Sequence, residues 1–285
     1  MDLKISKFEQ DFPENLRIMR DGYQLKSIEI IPPKNSAFSL ISENRSLPLS
    51  LPTDSIIGRK AFLEKEWDPR KIDFFVSRAN AVAQPICLID VGANVGLFAR
   101  QCAARMPHIH EAYLYEPHPH NFELLERNLA AWSISSRLIN AAIAEKNSVM
   151  HFYEDPDNCG NYSLNLAAMP QEYNVCTVTA IAAADEERTW LAHGYPVFYK
   201  SDTQGYDEVI AVNLSLFFWQ RVHCAAFELW RIAKPDYDQQ KFIRILDSFP
   251  FKSFESDPTQ LLNTSDVLEF ISHRDGLFND LLCWR

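Results

Sequence analysis

Leu88-Ile-Asp-Val-Gly-Ala-Asn-Val-Gly-Leu-Phe98 is the stretch that decides the fold. The run 86–91 is apolar except for Asp90, as expected of a strand buried on both faces. A turn follows with glycine at 92 and 96, and a helix is predicted over 97–105. Glycine there allows backbone torsions and a close approach that a Cβ would prevent. At the carboxyl edge of an open parallel sheet, such a turn is where a nucleotide-like ligand rests.

Downstream, apolar strands and amphipathic helices take turns. Strands are predicted at 112–116, 137–144, 148–153, 174–181, 197–202, 222–229, 251–255 and 280–284. Between them lie helices: one with the stripe Phe122, Leu125, Leu129 and Trp132, and others over 206–220, 237–249 and 267–273. This alternation predicts an α/β fold, a mostly parallel sheet with helices on both faces. Upstream the pattern is irregular, with turn signals at Pro32-Pro33, Pro48 and Pro52. Short strands are expected at 27–31 and 37–41, and a helix over part of 58–78, broken near Pro69. The division expected is therefore an extension over 1–85, serving as a lid or a homodimer element, and a ligand-binding domain over 86–285.

Composition narrows the class. With 47% hydrophobic and 23% charged residues, the chain has the make-up of a folded globular protein. A net charge of −10 argues against coating phosphate backbones or a basic membrane patch, so neither nucleic acid nor a lipid surface is the expected partner. A small-molecule or glycan substrate fits, because a cleft carries its own local field. Six cysteines are scattered without a CxxC pair, which argues against a zinc knuckle or a thioredoxin-like site. They read as reduced thiols of a cytoplasmic protein. Met1–Arg20 lacks an apolar signal core, and the most apolar later run, 209–219, is too short to span a bilayer.

The turn chemistry is more specific. A dinucleotide binder is expected to carry a third glycine between the two seen here, so that a diphosphate can approach. Asn94 stands in that place, with no basic residue in the turn. Asp90 before the turn suits the α-ammonium of a methionine moiety better than a diphosphate. Twenty residues past Gly96, Glu116 closes the next strand, where an acid accepts hydrogen bonds from ribose hydroxyls. Both S-adenosylmethionine and NAD offer those hydroxyls, so Glu116 alone does not choose between them.

Asp90-Val-Gly-Ala-Asn-Val-Gly96 resembles the signature of FkbM-type methyltransferases. So do Glu116-Pro-His-Pro-His-Asn-Phe122 with Leu125 and Asn128-Leu129, then Asn140-Ala-Ala-Ile143 and Lys200-Ser-Asp-Thr-Gln-Gly205, and the strand around Glu228. The resemblance runs in order from about residue 85 to 285. It implies a doubly wound class I methyltransferase (Rossmann-like) sheet with an antiparallel last strand. It also implies S-adenosyl-L-methionine held by Asp90, Gly92, Ala93, Asn94, Gly96, Glu116, Pro117 and His118, with Asn140 and Ala142 bordering the adenine. The implied activity is O-methylation of a sugar or sugar-like product. Ser201 replaces the family's usual apolar residue and Asp207 stands near its usual Glu, departures that bear on the substrate side.

Methyl transfer from a sulfonium is an in-line displacement, so the enzyme contributes mainly by alignment, with a base or metal to take up the hydroxyl proton. Asp202, ending the strand before Gln204-Gly205, is the candidate: general base, divalent-cation ligand, or contact to the methionine end. The structural alternative is a helix N-cap. Glu228 on the next strand is expected to share the pocket. Two carboxylates there would suit Mg²⁺, and a salt-bridge role is the alternative. Lys200 should face the same side as Asp202, as ion-pair partner or substrate ligand. Asn161 and Ser163 in the polar loop 155–165, together with Gln204, are the other substrate candidates. His118 and His120 suit either adenosine contact or helix capping, and His223 reads as structural. Two rival readings use the same crevice: an NAD-dependent oxidoreductase, and a nucleotide-binding scaffold without turnover.

Overall fold

The computed structural model describes residues 84–285 continuously and, before them, 17–21, 24–32, 37–38, 41–42, 45–52, 56–64 and 66–82. Seven strands share one sheet: β1 Ile86–Val91, β2 Ile109–Tyr115, β3 Ser135–Ile139, β4 Val197–Ser201, β5 Val222–Trp230, β6 Phe251–Phe254 and β7 Phe278–Trp284. Their spatial order is 3-2-1-4-5-7-6. The pairs among β1 to β5 are parallel, whereas β7 runs antiparallel to both β5 and β6. This is the doubly wound class I methyltransferase topology, with the antiparallel last strand that the resemblance implied.

Helices flank both faces, and strand alternation assigns the residues to each. Ile86 and Leu88 of β1, Phe198 of β4 and Ala226 of β5 point to the face covered by α2 (Pro69–Val82), α3 (Leu97–Arg105) and α4 (Pro119–Leu129); a short α1 (Ile57–Glu64) precedes α2. Cys87, Ile89, Tyr199 and Phe227 point the other way. That second face is covered by α5 (Ala183–Trp190), α6 (Asp207–Asn213), α7 (Leu216–Arg221), α8 (Gln239–Asp247) and α9 (Thr264–Ser272). No described helix is long and apolar enough to cross a membrane. None of the six cysteines is in a disulfide.

Several expected elements divide where a polar residue interrupts them. The run 137–144 is two strands: β3 stays in the main sheet, and Ala142–Ala144 joins a small sheet with Asn174–Ala182 and Ser148–Glu154. Asn140 makes the break by turning its amide onto the Glu116 and Pro117 carbonyls at 2.9 and 3.0 Å. The helix expected over 206–220 is α6 and α7, because Ser215 caps the second with its hydroxyl accepting from the Phe218 N–H. Helix α5 was not read from the sequence. The strand expected at 37–41 falls partly outside the described residues.

The N-terminal region is bound to the sheet by two polar clamps and one helix. Arg100 of α3, fully buried, donates to the carbonyls of Phe38, Leu47, Pro48 and Asn128 at 2.6–2.8 Å. Asn128 of α4 donates to the carbonyls of Ser50 and Val95 and accepts from the Ser50 N–H. Helix α2 inserts Ile72, Phe75 and Ala79 into the same core as Leu88, Phe98 and Phe198. Residues on both sides of position 85 thus contribute to one core.

Candidate active site

The connections after β1 and β4 leave opposite faces of the sheet, and a crevice opens between them at the carboxyl edge. It holds a cavity of ≈ 390 Å³, within the range of small-ligand sites (roughly 300–1,000 Å³). Its floor is the first glycine turn. Gly92 stands at φ 76°, and a Cβ on it would lie 2.0 Å from the Asp202 carbonyl oxygen, so only glycine lets the two turns meet. Gly96, at φ 82°, would bring a Cβ within 2.7 Å of a Leu125 methyl, a side chain rather than backbone, and serves helix packing rather than the cavity lining.

The turn's amides are already engaged. Asn94 N–H donates to Glu116 Oε2 at 2.8 Å, and Val95 N–H donates to the Asn94 side-chain oxygen at 2.8 Å. Asn94 Nδ2 reaches across to the Cys159 carbonyl at 2.9 Å and ties the turn to the 155–165 loop. Glu116 also accepts the His118 N–H at 2.9 Å and lines the cavity. Burial pushes its carboxyl up to about 7, against the pull of those two amides. Beyond it, Pro117, Ala141, Ala142, Phe152, Tyr162 and Tyr206 give the cavity an apolar wall.

At the opposite end, one face of the sheet supplies a row of charges. Asp90, Lys200, Asp202, Glu228 and Asp280 occupy the positions next along their strands after Leu88, Phe198, Ala226 and Leu282, and so face α2. From α2 comes Lys71, whose side chain is 2% exposed. Its ammonium lies 3.0 Å from Asp280, 3.2 Å from Asp68 and 3.8 Å from Asp202. Burial opposes its charge, and the surrounding carboxylates Asp280, Asp68, Asp202 and Glu228 hold it well above the usual lysine range. Lys200 pairs with Asp90 at 3.0 Å, lies 3.6 Å from Asp202, and donates to the Gly92 carbonyl at 2.7 Å.

The carboxylates divide their protons unequally. Burial works against ionisation of Asp202, but Lys200 and Lys71 hold its carboxyl below the usual range, and Glu228 hydrogen-bonds to it. Glu228 is pushed far up by burial and by Asp202 itself; it also accepts Trp230 Nε1–H at 2.7 Å. Burial raises Asp280 to about 7 against the attraction of Lys71, and its Oδ1 is buried without a hydrogen-bond partner. Trp230 and Phe278, stacked at 4.9 Å, line the same end.

The expected residues therefore separate into those in the cavity and those behind it. Gly92, Ala93, Asn94, Glu116, Pro117, Ala142, Asn161, Lys200, Gln204, Asp202 and Glu228 line it. Asp90 does not: it is fully buried, and its charge meets Lys200 instead of a ligand ammonium. Asn140 is exposed and holds the strand ends together. Ser163 is buried, with its hydroxyl donating to the Thr203 and Gln204 carbonyls, so it shapes the second turn rather than meeting a substrate. His118 turns its ring to Glu154 at 3.1 Å. Asp202 is no helix cap; Tyr206 precedes α6, and Asp207 grips Thr203. Mg²⁺ does not suit Asp202 and Glu228, because two ammonium groups already serve the first and burial resists ionisation of the second.

Lys71 and Asp280 were missed, and each had a signal. Positions 71, 75 and 79 share a helix face, and 280 alternates with the buried Leu282.

No family model matches the chain, and no curated protein matches it in sequence. Among solved structures it is similar to an S-adenosylmethionine-dependent methyltransferase from Agrobacterium tumefaciens, at 8% identity and TM-score 0.41, over 98% of this chain and 79% of that one. It is also similar to methyltransferase FkbM from Methylobacillus flagellatus KT, at 14% identity and TM-score 0.36, over 70% and 44%. A third is an S-adenosylmethionine-dependent O-methyltransferase from Thermotoga maritima, at 12% and 0.34, over 87% and 77%. These similarities carry nothing about substrate; the strand order itself sets the fold class.

Proposed function

We propose that the chain is an FkbM-type O-methyltransferase that binds S-adenosylmethionine along the carboxyl edge of its sheet. We further propose that it methylates a hydroxyl of a saccharide or glycosylated natural product. The observation that carries this reading is one cavity with Glu116 and an apolar wall at one end and the lysine-carboxylate row at the other. Glu116 suits the ribose diol, and Ala141, Ala142 and Phe152 suit the adenine. The amides of Asn158 and Asn161 and the stacked Trp230–Phe278 pair suit a hydroxylated ring. A diphosphate fits less well, since the Asn94 and Val95 amides it would need are taken by Glu116 and by Asn94 itself.

When bound, S-adenosylmethionine supplies a methyl carbon on a sulfonium, open to in-line attack. The chain's own part is to hold the acceptor hydroxyl in line and to receive its proton as the new oxygen–carbon bond forms. Asp280 suits that role, since it lines the cavity and a carboxyl near 7 is a base matched to neutral pH. Asp202, held ionised by two lysines, is a weaker base, and it positions Lys200 and Gln204. Calorimetric titration with S-adenosylhomocysteine tests the cofactor assignment. Saturable binding is expected. No heat at about millimolar ligand, with a fluorescence response to NADH instead, would reverse it.

A further inference from the structure

His118, Glu154 and Cys176 bring one nitrogen, one carboxylate oxygen and one sulfur within 4.8 Å of one another. They arrive from separate elements. His118 stands just before α4, Glu154 ends the Ser148–Glu154 strand, and Cys176 lies on the strand paired with it. Phe152 is opposite Cys176 in that pair, so Glu154, two residues on, projects from the same face. Helix α4 then brings the imidazole over, with Nε2 3.1 Å from Glu154 Oε1. All three side chains are half-buried.

The donor set is that of a soft to borderline divalent cation. Zn²⁺ takes thiolate, imidazole and carboxylate in four-coordinate sites, and three protein ligands leave one position for water. A neutral imidazole nitrogen is a common ligand for such an ion. We propose that His118 Nε2, a Glu154 carboxylate oxygen and Cys176 Sγ form a three-ligand site for Zn²⁺. On binding, the sulfur–zinc bond replaces the sulfur–hydrogen bond, and that proton leaves to solvent. The imidazole proton then resides on Nδ1, which has no hydrogen-bond partner and belongs to a ring packed edge-on against Tyr162 at 4.8 Å. The backbone N–H of His118 donates to Glu116. An ion here therefore ties the outer hairpin to the residue beside the glycine turn, and the site stands whether or not the cavity takes S-adenosylmethionine.

The full chain, reduced and stripped of metal by a chelator, is titrated with Co²⁺ alone. Expected are a thiolate-to-cobalt charge-transfer band and four-coordinate ligand-field bands, saturating at one equivalent and erased by Zn²⁺. The charge-transfer band should vanish in Cys176→Ser. Glu154→Gln, which keeps shape, should weaken Co²⁺ binding at least about tenfold. Circular dichroism checks that both variants are folded. Were a variant unfolded, the unaltered chain decides: no saturable band overturns the site, as does a band unchanged in Cys176→Ser, which would place the metal on another thiol.

Discussion

A Cβ on residue 92 would lie 2.0 Å from a backbone oxygen, while a Cβ on Gly276, at almost the same φ of 77°, would meet nothing within 4 Å. The two positions separate torsional strain from overlap. Gly276→Ala is expected to cost about 1–2 kcal/mol, the cost of a left-handed torsion alone. Gly92→Ala adds a clash with backbone that cannot move aside, and should cost more than about 3 kcal/mol in urea unfolding; equal losses would contradict the geometry. Glu116 gives a second test at this scale. Its carboxylate offers the ribose two acceptors, and Glu116→Gln keeps the shape but removes the charge. A charge-assisted hydrogen bond contributes about 1.5–3 kcal/mol, so affinity for S-adenosylhomocysteine should fall roughly 10- to 100-fold. Isothermal titration of both proteins measures it, and unchanged affinity would remove Glu116 from the ligand site. The sequence made Glu116 and Gly92 legible because they sit at fixed distances along one strand-turn-helix-strand unit. Asp90 misled, because its partner Lys200 lies on a strand 110 residues away and only the β1–β4 pairing makes them neighbours.

At the scale of elements, α3 and α4 carry the polar groups that fasten the N-terminal strands. Arg100 is buried with no carboxylate near it among the described residues; carbonyls alone satisfy it. Arg100→Met keeps much of the volume and leaves those carbonyls without donors. The expected loss is about 2–4 kcal/mol, with faster proteolysis between residues 38 and 52 than after residue 86. Uniform protection would show that apolar contacts suffice to dock the segment. Most of the order of helices and strands after residue 85 was readable from the pattern, since β1, β4 and β5 open on apolar runs set between amphipathic helices. Helix α2 was only half readable. Its charges at 68, 70, 71 and 73 look alike in sequence, and docking against Phe98 and Phe198 selects Lys71 as the one that turns inward. Asp280 was hidden for a related reason: no local pattern says that β7 enters between β5 and β6, opposite Glu228.

The whole molecule carries a net charge of −10, yet burial makes several of its acids harder to ionise. Glu116 and Asp280 are raised to about 7 and Asp207 to about 6, chiefly by burial, and burial also raises Glu228 well above the usual range. In the unfolded chain these groups ionise near their ordinary values of about 4. Between about pH 4.5 and 7 the folded state therefore binds more protons than the unfolded state, and stability declines as pH rises through that window. Asp202, with its pKa lowered, works the other way only at the acid end. The thermal midpoint of the ligand-free chain should be lower at pH 8 than at pH 5, and Glu228→Gln should flatten the slope. A midpoint that climbs across this range would mean the carboxylates are solvated.

The antiparallel β7 has a further consequence during synthesis. Of the strands in the main sheet it is last to leave the ribosome, yet among the described strands β6 hydrogen-bonds to no other. The nascent protein can pair β1 to β5 in turn, but β6 must wait beside a gap until residues 278–284 arrive to fill it. A stalled chain ending before residue 278 should thus expose the apolar edge of β5 to chaperones.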